Sequence, residues 1–270
     1  MYINTPYNFT GSKYKLLEQL LPLFDYSKSY FVDVFCGGGS IYTNIIDKYD
    51  KILVNDIISD LIGIHKNLII SDKIIEDVKK LSVNKDDKEG YLKLRSSYNE
   101  DKSPEKLWAL MLCCTNNMMR FNKKFGFNQT FGKRSFNDNT QKKINEFINH
   151  VRPYKDKLIF KSSHFENIKI TNNNTMVYLD PPYLETEAGY NAYFSKEDGD
   201  KLYKYIINLN DKGISFALSG VLGEHKNGKR SVLIDKLIKK FNYKIFDYDY
   251  EKVARNKNTK NSEEILIYNY

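Results

Sequence analysis

A carboxylate, two prolines and an aromatic ring follow a short apolar run in the second half of the chain. The run is Met176–Leu179, and the tetrapeptide is Asp180-Pro181-Pro182-Tyr183. Asp180 and the Pro181 carbonyl can each accept a hydrogen bond from a planar amino group, and the prolines hold that carbonyl in one direction because their rings fix φ. Tyr183 offers a flat face on which a nucleobase can stack. The tetrapeptide also fits an Asp-Pro turn that ends a strand, so the motif alone does not choose between the two.

A run of three glycines lies much earlier in the chain, between a predicted strand and a predicted helix. Phe31–Phe35 predicts a buried strand, and Gly37–Gly39 permit a tight turn and a close approach to a ligand. Ser40–Ile46 has the spacing of a helix, and the next strand, Lys51–Asp56, ends in an acid. This layout is typical of a nucleoside-binding βαβ unit, in which the terminal acid, Asp56, accepts hydrogen bonds from ribose hydroxyls. The glycines do not form the six-residue dinucleotide fingerprint, so we expect no pyrophosphate ligand.

The amino terminus contains a third motif, Asn8-Phe9-Thr10-Gly11-Ser12-Lys13, before a predicted helix over 14–23. Phe9 can cover an adenine ring, and Lys13 can meet a carboxylate or a phosphate. A poorly ordered start followed by a helix cap is the alternative interpretation, because chain termini often lack order.

In their order along the chain, the amino-terminal motif, the glycine turn and the Asp-Pro-Pro-Tyr tetrapeptide resemble the Dam-type, alpha-class DNA adenine-N6 methyltransferases, above all the phage-type enzymes that act on GATC. The stretches Tyr190–Phe194 and Ser262–Tyr270 extend the resemblance over almost the whole chain. It implies S-adenosylmethionine as the cofactor and an adenine flipped out of duplex DNA as the methyl acceptor. The implied catalytic residues are Asp180, Pro181, Pro182 and Tyr183, with Tyr190 or Phe194 closing over the base. The implied cofactor-binding residues are Phe9, Lys13, Phe35, Gly37, Asp56, Phe165 and Asp180.

A basic and aromatic segment separates the glycine turn from the Asp-Pro-Pro-Tyr motif. Between Cys113 and Lys143 there are seven basic residues and one acid, Asp138. The basic residues are Arg120, Lys123, Lys124, Lys133, Arg134, Lys142 and Lys143, and they alternate with Phe121, Phe125, Phe127 and Phe131. Cations interleaved with aromatic rings suit phosphate contacts and stacking against bases. Taken alone, the segment also fits a solvated basic hairpin with Gly126 and Gly132 as turn residues.

The resemblance assigns this segment to DNA recognition. Arg120 falls where Dam-type enzymes place a guanine-reading arginine, whose planar fork can meet O6 and N7 together. The other implied DNA contacts are Asn8, Asn116, Asn117, Met118, Asn128, Lys133 and Arg134. Asn8 departs from the bacterial Dam pattern, which has a base-contacting lysine there, so the reading of the outer base pair is left open.

Bulk properties agree with an intracellular protein that binds a polyanion. The net charge is 42 − 34 = +8, and 41% apolar content in 270 residues is enough for a sizeable core. Cys36, Cys113 and Cys114 form no CxxC pair, which favours a reducing compartment over a disulfide scaffold or a zinc site. From the visible residues we expect no signal sequence, and no apolar run reaches membrane-spanning length. We therefore expect a cytoplasmic protein with double-stranded DNA as its partner, no membrane association, and a monomer or weak dimer on DNA.

The four histidines give no sign of a metal or histidine-based mechanism. His65, His150, His164 and His225 are scattered without paired-ligand spacing. We expect His164 to line the cofactor pocket, the other three to be ordinary helix or loop residues, and none to be catalytic.

The alternation of strands and helices predicts an α/β fold with a mainly parallel sheet covered on both faces. Further helices are predicted over 61–70, 73–81, 106–114, 195–209 and 231–241, and further strands over 158–160, 214–219, 243–250 and 264–270. The resemblance implies a Rossmann-like class I methyltransferase sheet with an antiparallel last strand. It also implies a catalytic domain over 1–58 and 156–270, with an inserted, mainly helical DNA-recognition domain over 59–155 that contains a β-hairpin.

Four other functions remain open. The chain could methylate the same amino group in RNA or at another DNA target, methylate cytosine N4, or bind DNA without methylating it. Asp180, rather than a serine, before Pro-Pro-Tyr favours adenine, and the basic segment around Arg120 favours duplex DNA. The intact glycine turn and Asp-Pro-Pro-Tyr motif argue against a lost activity.

Overall fold

A seven-stranded sheet forms the centre of the protein, with strand order β3-β2-β1-β4-β5-β7-β6. The computed structural model describes residues 1–182, 194–223, 231–246 and 262–270. The strands are β1 (Tyr30–Asp33), β2 (Lys51–Asp56), β3 (Leu158–Ser162), β4 (Thr175–Leu179), β5 (Ser215–Gly223), β6 (Asn242–Ile245) and β7 (Ser262–Tyr268). The first five run parallel, and β7 lies antiparallel between β5 and β6. The predicted Rossmann-like sheet with an antiparallel last strand is confirmed.

Helices cover both faces of this sheet. They are α1 (Leu17–Leu20), α2 (Ser40–Ile45), α3 (Ser59–Ile70), α4 (Lys73–Leu81), α5 (Lys88–Glu100), α6 (Pro104–Cys113), α7 (Asp138–Val151), α8 (Lys196–Asp211) and α9 (Val232–Leu237). Strand β4 is buried throughout, as expected of a strand covered on both sides. Its alternate residues enter two apolar clusters: Met176 and Tyr178 pack with α1 to α7, and Val177 and Leu179 pack with α8 and α9.

The strand order puts the predicted motifs together at the carboxyl ends of the central strands. Strand β1 lies between β2 and β4. After β1 the chain continues to β2 on one side of the sheet's centre, and after β4 it continues to β5 on the other side. In open α/β sheets, ligands bind at this switch point, outside the carboxyl ends of the strands. The glycine turn follows β1, Asp56 ends β2, and Asp180 follows β4 directly.

Helix α8 begins where the sequence predicts it to begin. The Ser195 hydroxyl accepts from the Asp198 N–H, and the Asp198 carboxylate accepts from the Ser195 N–H at 2.7 Å, which completes a capping box.

Four predicted elements differ from the structure. The strand predicted over 243–250 is present as β6, which ends at Ile245, and residues 247–250 lie outside the described residues. The helix predicted over 14–23 is the four-residue α1 between two 3-10 turns, and α1 ends before Pro22 because this residue has no N–H to continue it. The helix predicted over 231–241 is limited to α9. The predicted hairpin is present as two isolated antiparallel bridges, Cys114 with Phe131 and Phe121 with Phe127, without regular strands in this segment.

The region from α3 to α7 packs on the same sheet face as α1 and α2. Helix α3 contacts β2 and β3, and Trp108 of α6 belongs to the same apolar cluster as Phe31 of β1. The division into 1–58 with 156–270 and an inserted 59–155 unit stays a prediction. None of the helices in the described ranges is long and apolar enough to span a membrane.

Candidate active site

The glycine turn after β1 lies directly against Phe9. Gly37 and Gly39 have positive φ values of 48° and 81°, a backbone region that side chains disfavour. A Cβ on Gly37 would lie 2.7 Å from the Phe9 ring, and one on Gly38 would lie 2.6 Å from the Phe9 Cβ. The structure therefore brings the amino-terminal motif and the glycine turn together, and the turn needs glycine both for its backbone and for the space that Phe9 fills.

Asp56 at the end of β2 is joined to this turn by hydrogen bonds. Its Oδ2 accepts from the Gly37 N–H at 3.1 Å, and its Oδ1 accepts from the Ile58 N–H at 3.0 Å. Burial raises the pKa of Asp56, and these backbone donors oppose that rise. The carboxylate predicted to meet ribose hydroxyls is thus fixed beside the glycine turn, where each oxygen can accept a further hydrogen bond.

A fully buried histidine, His65 of α3, forms a hydrogen bond with the backbone of the glycine turn. Its Nε2 lies 2.9 Å from the Gly37 carbonyl oxygen and 2.8 Å from the Tyr7 hydroxyl, and its Nδ1 lies 2.9 Å from the Tyr42 hydroxyl. A carbonyl can only accept, so Nε2 holds the proton and Nδ1 accepts from Tyr42. Burial lowers the pKa of His65 to about 4, which keeps the ring neutral at pH 7. No sequence pattern indicates this contact, because His65 falls in an ordinary helical pattern.

Asp180 lies beside a buried ammonium group. The Nζ of Lys13 is 3.2 Å from Oδ1 of Asp180 and 3.7 Å from Oε2 of Glu264 on β7. Only 5% of the Lys13 side chain is exposed, against 19% for Asp180 and 9% for Glu264. Lys13 therefore meets a carboxylate, one of the two options that the sequence offered, and the first and third motifs meet at this ion pair.

The rest of the Asp-Pro-Pro-Tyr motif is only partly within the described ranges. Pro181 is buried and Pro182 is half-buried, while Tyr183 and Tyr190 lie outside the described residues. Two residues before Asp180, the Tyr178 hydroxyl forms a buried hydrogen bond of 2.6 Å with the Ser219 hydroxyl, which joins β4 to β5.

Asp33, the last residue of β1, is a buried acid that the sequence did not single out. It is 1% exposed, and neither carboxylate oxygen has a hydrogen-bond partner among the described residues. Burial raises its pKa well above the usual value, and the charges of Asp180 and Asp56 raise it further. Its position at the end of an apolar strand could have indicated a functional residue, since a buried carboxyl needs a partner.

An aromatic group borders the other side of the turn. The Phe35 ring lies 5.8 Å from that of Phe165 and 6.2 Å from that of Phe194. Phe165 is 2% exposed and Phe35 is half-buried, so Phe35 is the more accessible of these two rings.

His164 belongs to a charged cluster next to this group. Its Nδ1 is 3.3 Å from the Glu166 carboxylate, and its Nε2 is 3.4 Å from that of Asp198. The Lys201 ammonium also contacts both acids, at 3.7 Å and 3.9 Å. Because Lys201 contacts both acids, the cluster is an ion-pair network, and exposed acidic groups of this kind are common without a metal.

These residues fit S-adenosylmethionine. The glycine turn leaves no room for a Cβ, Asp56 faces it with acceptor oxygens, and Asp33 is a buried carboxyl that lacks a partner within the described part of the chain. Acceptor oxygens beside a tight glycine turn suit the hydroxyls of a ribose, and Phe9, which packs on this turn, can cover an aromatic base.

The segment predicted to contact DNA is exposed and has an unusual backbone. Arg120, Asn116, Lys133 and Arg134 are exposed, and Met118 and Asn128 are half-buried. All four non-glycine residues with positive φ in the described ranges lie here: Asn116, Asn117, Phe125 and Lys133. Such conformations are costly for phenylalanine and lysine, and they cluster at functional sites.

Asn117 differs from the other predicted DNA contacts because it is buried. Its Nδ2 donates to the carbonyls of Met111 and Leu112 at the end of α6, and its Oδ1 accepts from Arg134. The Asn8 side chain also donates to this Oδ1, at 3.4 Å. Asn117 therefore holds two predicted DNA contacts together, and a direct contact of its own with DNA stays a prediction.

A lysine supplies positive charge beside Asn8. The Nζ of Lys143 on α7 donates to Asn8 Oδ1 at 3.2 Å. The site where the sequence lacks the bacterial lysine thus has an ammonium group from another element, which sequence reasoning did not place there.

Comparison with known proteins agrees with this geometry. Residues 9–251 match the family described as D12 class N6 adenine-specific DNA methyltransferase. Modification methylase StsI of Streptococcus sanguinis and type II methyltransferase M.FokI of Planomicrobium okeanokoites are each 31% identical over 100% of this chain, which covers 43% of each relative. The chain thus spans less than half of their length.

A DNA adenine methylase of Vibrio cholerae is more distant, at 27% identity over 68% of each chain. The stronger matches are therefore type II modification methylases, whereas the motifs alone suggested the phage-type GATC enzymes. The chain belongs to the D12 class N6 adenine-specific DNA methyltransferase family.

Proposed function

We propose that this chain transfers a methyl group from S-adenosylmethionine to N6 of an adenine in duplex DNA, as a type II modification methylase does. The observation that supports this most is the position of Asp180, at the end of β4 beside Lys13 and across the switch point from the glycine turn. GATC is the first target to test. It rests on the resemblance of the motifs to phage-type enzymes.

Adenine N6 is a weak nucleophile because its lone pair is delocalised into the ring. Asp180 and the Pro181 carbonyl would accept hydrogen bonds from its two N–H groups, which turns the lone pair toward the methyl donor and favours tetrahedral nitrogen. As the N–C bond forms and the bond of the methyl group to sulfur breaks, one of the two N6 protons would leave to solvent. When bound, the cofactor supplies an electrophilic methyl group on a sulfonium. Phe9, Lys13, Phe35, Gly37, Asp56 and Phe165 are the residues proposed to hold it. Position and electrostatics then lower the barrier without a covalent enzyme intermediate.

The target base must leave the duplex to reach Asp180, at a cost of a few kcal/mol. Tyr183 is proposed to stack on it there. Arg120 is proposed to read guanine, with Asn8, Asn116, Met118, Asn128, Lys133 and Arg134 contacting bases or phosphates around it. We assign all of these contacts except that of Asn8 to the 59–155 unit, and we place the activity in the cytoplasm, where DNA and cofactor meet.

The test is to express the chain in a host that lacks adenine methylation and to map modified adenines by single-molecule sequencing. We expect N6-methyladenine in one short sequence, and none when Asp180→Ala is expressed instead. Methylation at GATC would support the phage-type resemblance, and another sequence would replace GATC as the target. Unmodified DNA together with methylated RNA in the same cells would overturn the DNA assignment.

A further inference from the structure

Glu264 is an acidic residue inside an apolar strand. Its neighbours on β7, Ile265, Leu266 and Ile267, are each 0% exposed as whole residues, and Glu264 as a whole residue is 7% exposed. A carboxylate at such a position is costly unless a cation pairs with it. A leucine or isoleucine would suit the strand better, so the acid needs an explanation outside the packing of the sheet.

The sheet fixes the backbone of Glu264 from both sides. The residue pairs with Val221 of β5, and its carbonyl accepts from the Phe246 N–H at 2.9 Å. A side chain on an inner strand of this kind is a firmer support than one on a loop. Its carboxylate lies 3.7 Å from the Lys13 ammonium.

Lys13 needs such a support. It lies in a short 3-10 turn near the amino terminus, and its stem has four flexible carbons. Asp180 follows the end of β4, so the ion pair of Lys13 with Asp180 joins two chain segments that are each outside the sheet. Only Glu264, of these three ionised side chains, belongs to a strand.

We propose that Glu264 is a positioning residue for methyl transfer, which fixes Lys13 so that the ammonium in turn orients the Asp180 carboxylate. The inference rests on the proposed function of Asp180. Glu264 acts through Lys13, so its effect should vanish when Lys13 has no charge.

The test is a double-mutant cycle with Glu264→Gln and Lys13→Met. Glu264→Gln keeps the size of the side chain and removes its charge. We expect kcat for DNA methylation to fall about 10- to 100-fold, the range that a misplacement of about 1 Å can cause, with KM for DNA nearly unchanged. In the Lys13→Met background, Glu264→Gln should cause no further loss.

Two further variants separate positioning from folding. Glu263→Gln, the exposed neighbour on the same strand, is the matched control and should keep wild-type kcat. Glu264→Asp retains the charge and should keep more activity than Glu264→Gln. Thermal unfolding of every variant identifies any protein that fails to fold, in which case Glu264→Asp decides.

The affinity for S-adenosylmethionine, measured by calorimetry without DNA, gives a second cycle. We expect a coupling between the two positions of about fivefold or more in Kd, as for members of one ion-pair network. If the wild-type chain binds cofactor but methylates no DNA, the proposed function fails and this cycle still tests Glu264. A Glu264→Gln protein with wild-type kcat and Kd, or one whose losses multiply with those of Lys13→Met, overturns the proposal.

Discussion

At the scale of single residues, Asp180 is the most direct test of the chemistry. We expect Asp180→Ala to lower methylation by at least about 100-fold, since it removes an acceptor aimed at the reacting amino group. The stability cost should stay below the roughly 3–5 kcal/mol of an orphaned buried charge, because Lys13 still has Glu264 at 3.7 Å. Methylation assays and urea unfolding check both parts, with the exposed Asp211→Ala as the control. Near wild-type turnover would contradict the assignment of Asp180.

Arg120 tests base reading. It is exposed, so Arg120→Ala should leave the fold intact while it removes about 1–3 kcal/mol of discrimination at one base pair. Methylation rates on target duplexes with each base pair substituted measure this loss. Lys133→Ala, in the same exposed segment, should weaken binding to all sequences alike. Unchanged specificity in Arg120→Ala would remove this residue from the reader role.

At the scale of elements, helix α3 supports the glycine turn through His65. The pKa of this ring is about 4 in the folded chain against 6.5 when unfolded. Between these values the unfolded chain binds the extra proton, so stability is fully present above pH 6.5 and falls as the pH drops toward 4, by up to about 3 kcal/mol.

His65→Gln should lose this dependence, while His150→Gln should keep it. The measurement is urea unfolding at several pH values from 4 to 7. Asp33 and Asp56 have raised pKa values that act in the opposite direction, but they are present in every variant, so the difference between proteins isolates His65. Parallel pH profiles for wild type and His65→Gln would show that the ring does not titrate as this geometry requires.

The basic segment depends on one close backbone contact. A Cβ on Gly132 would overlap the Cys114 carbonyl, whereas one on Gly126 would meet only the Asn122 amide at 3.1 Å, which can turn aside. Gly132→Ala should therefore cost about 1–3 kcal/mol of unfolding free energy. Gly126→Ala should cost less than about 1 kcal/mol. Equal unfolding midpoints in urea for the two variants would contradict this.

The elements that were predicted well are those with local signals. Buried strands such as β4 show unbroken apolar runs, and α8 shows its capping box at Ser195. Helix α1 was predicted too long because Pro22 decides its end, and the bridges around Phe121 have no strand periodicity. No local sequence pattern indicates the contacts of Glu264 and His65, since each contacts a residue that only the tertiary fold brings near.

At the scale of the whole molecule, charge is concentrated on one segment. Residues 113–143 have seven basic residues and one acid, 7 − 1 = +6 of the total of +8. Each lysine that neutralises a phosphate releases counterions, so affinity for DNA should fall with salt in proportion to the number of such contacts. The lysines of this segment should therefore set the salt dependence of the whole chain.

Binding to a non-target duplex, followed by fluorescence anisotropy from about 50 to 200 mM salt, measures this dependence. We expect replacement of both Lys123 and Lys124 by alanine to reduce the slope of log K against log salt by about 2. Lys239 and Lys240, exposed residues that follow α9 on the other side of the sheet, are the matched control pair. Their replacement should leave the slope unchanged. An equal reduction by both pairs would mean that DNA is bound by general positive charge, and that the basic segment is not its docking face.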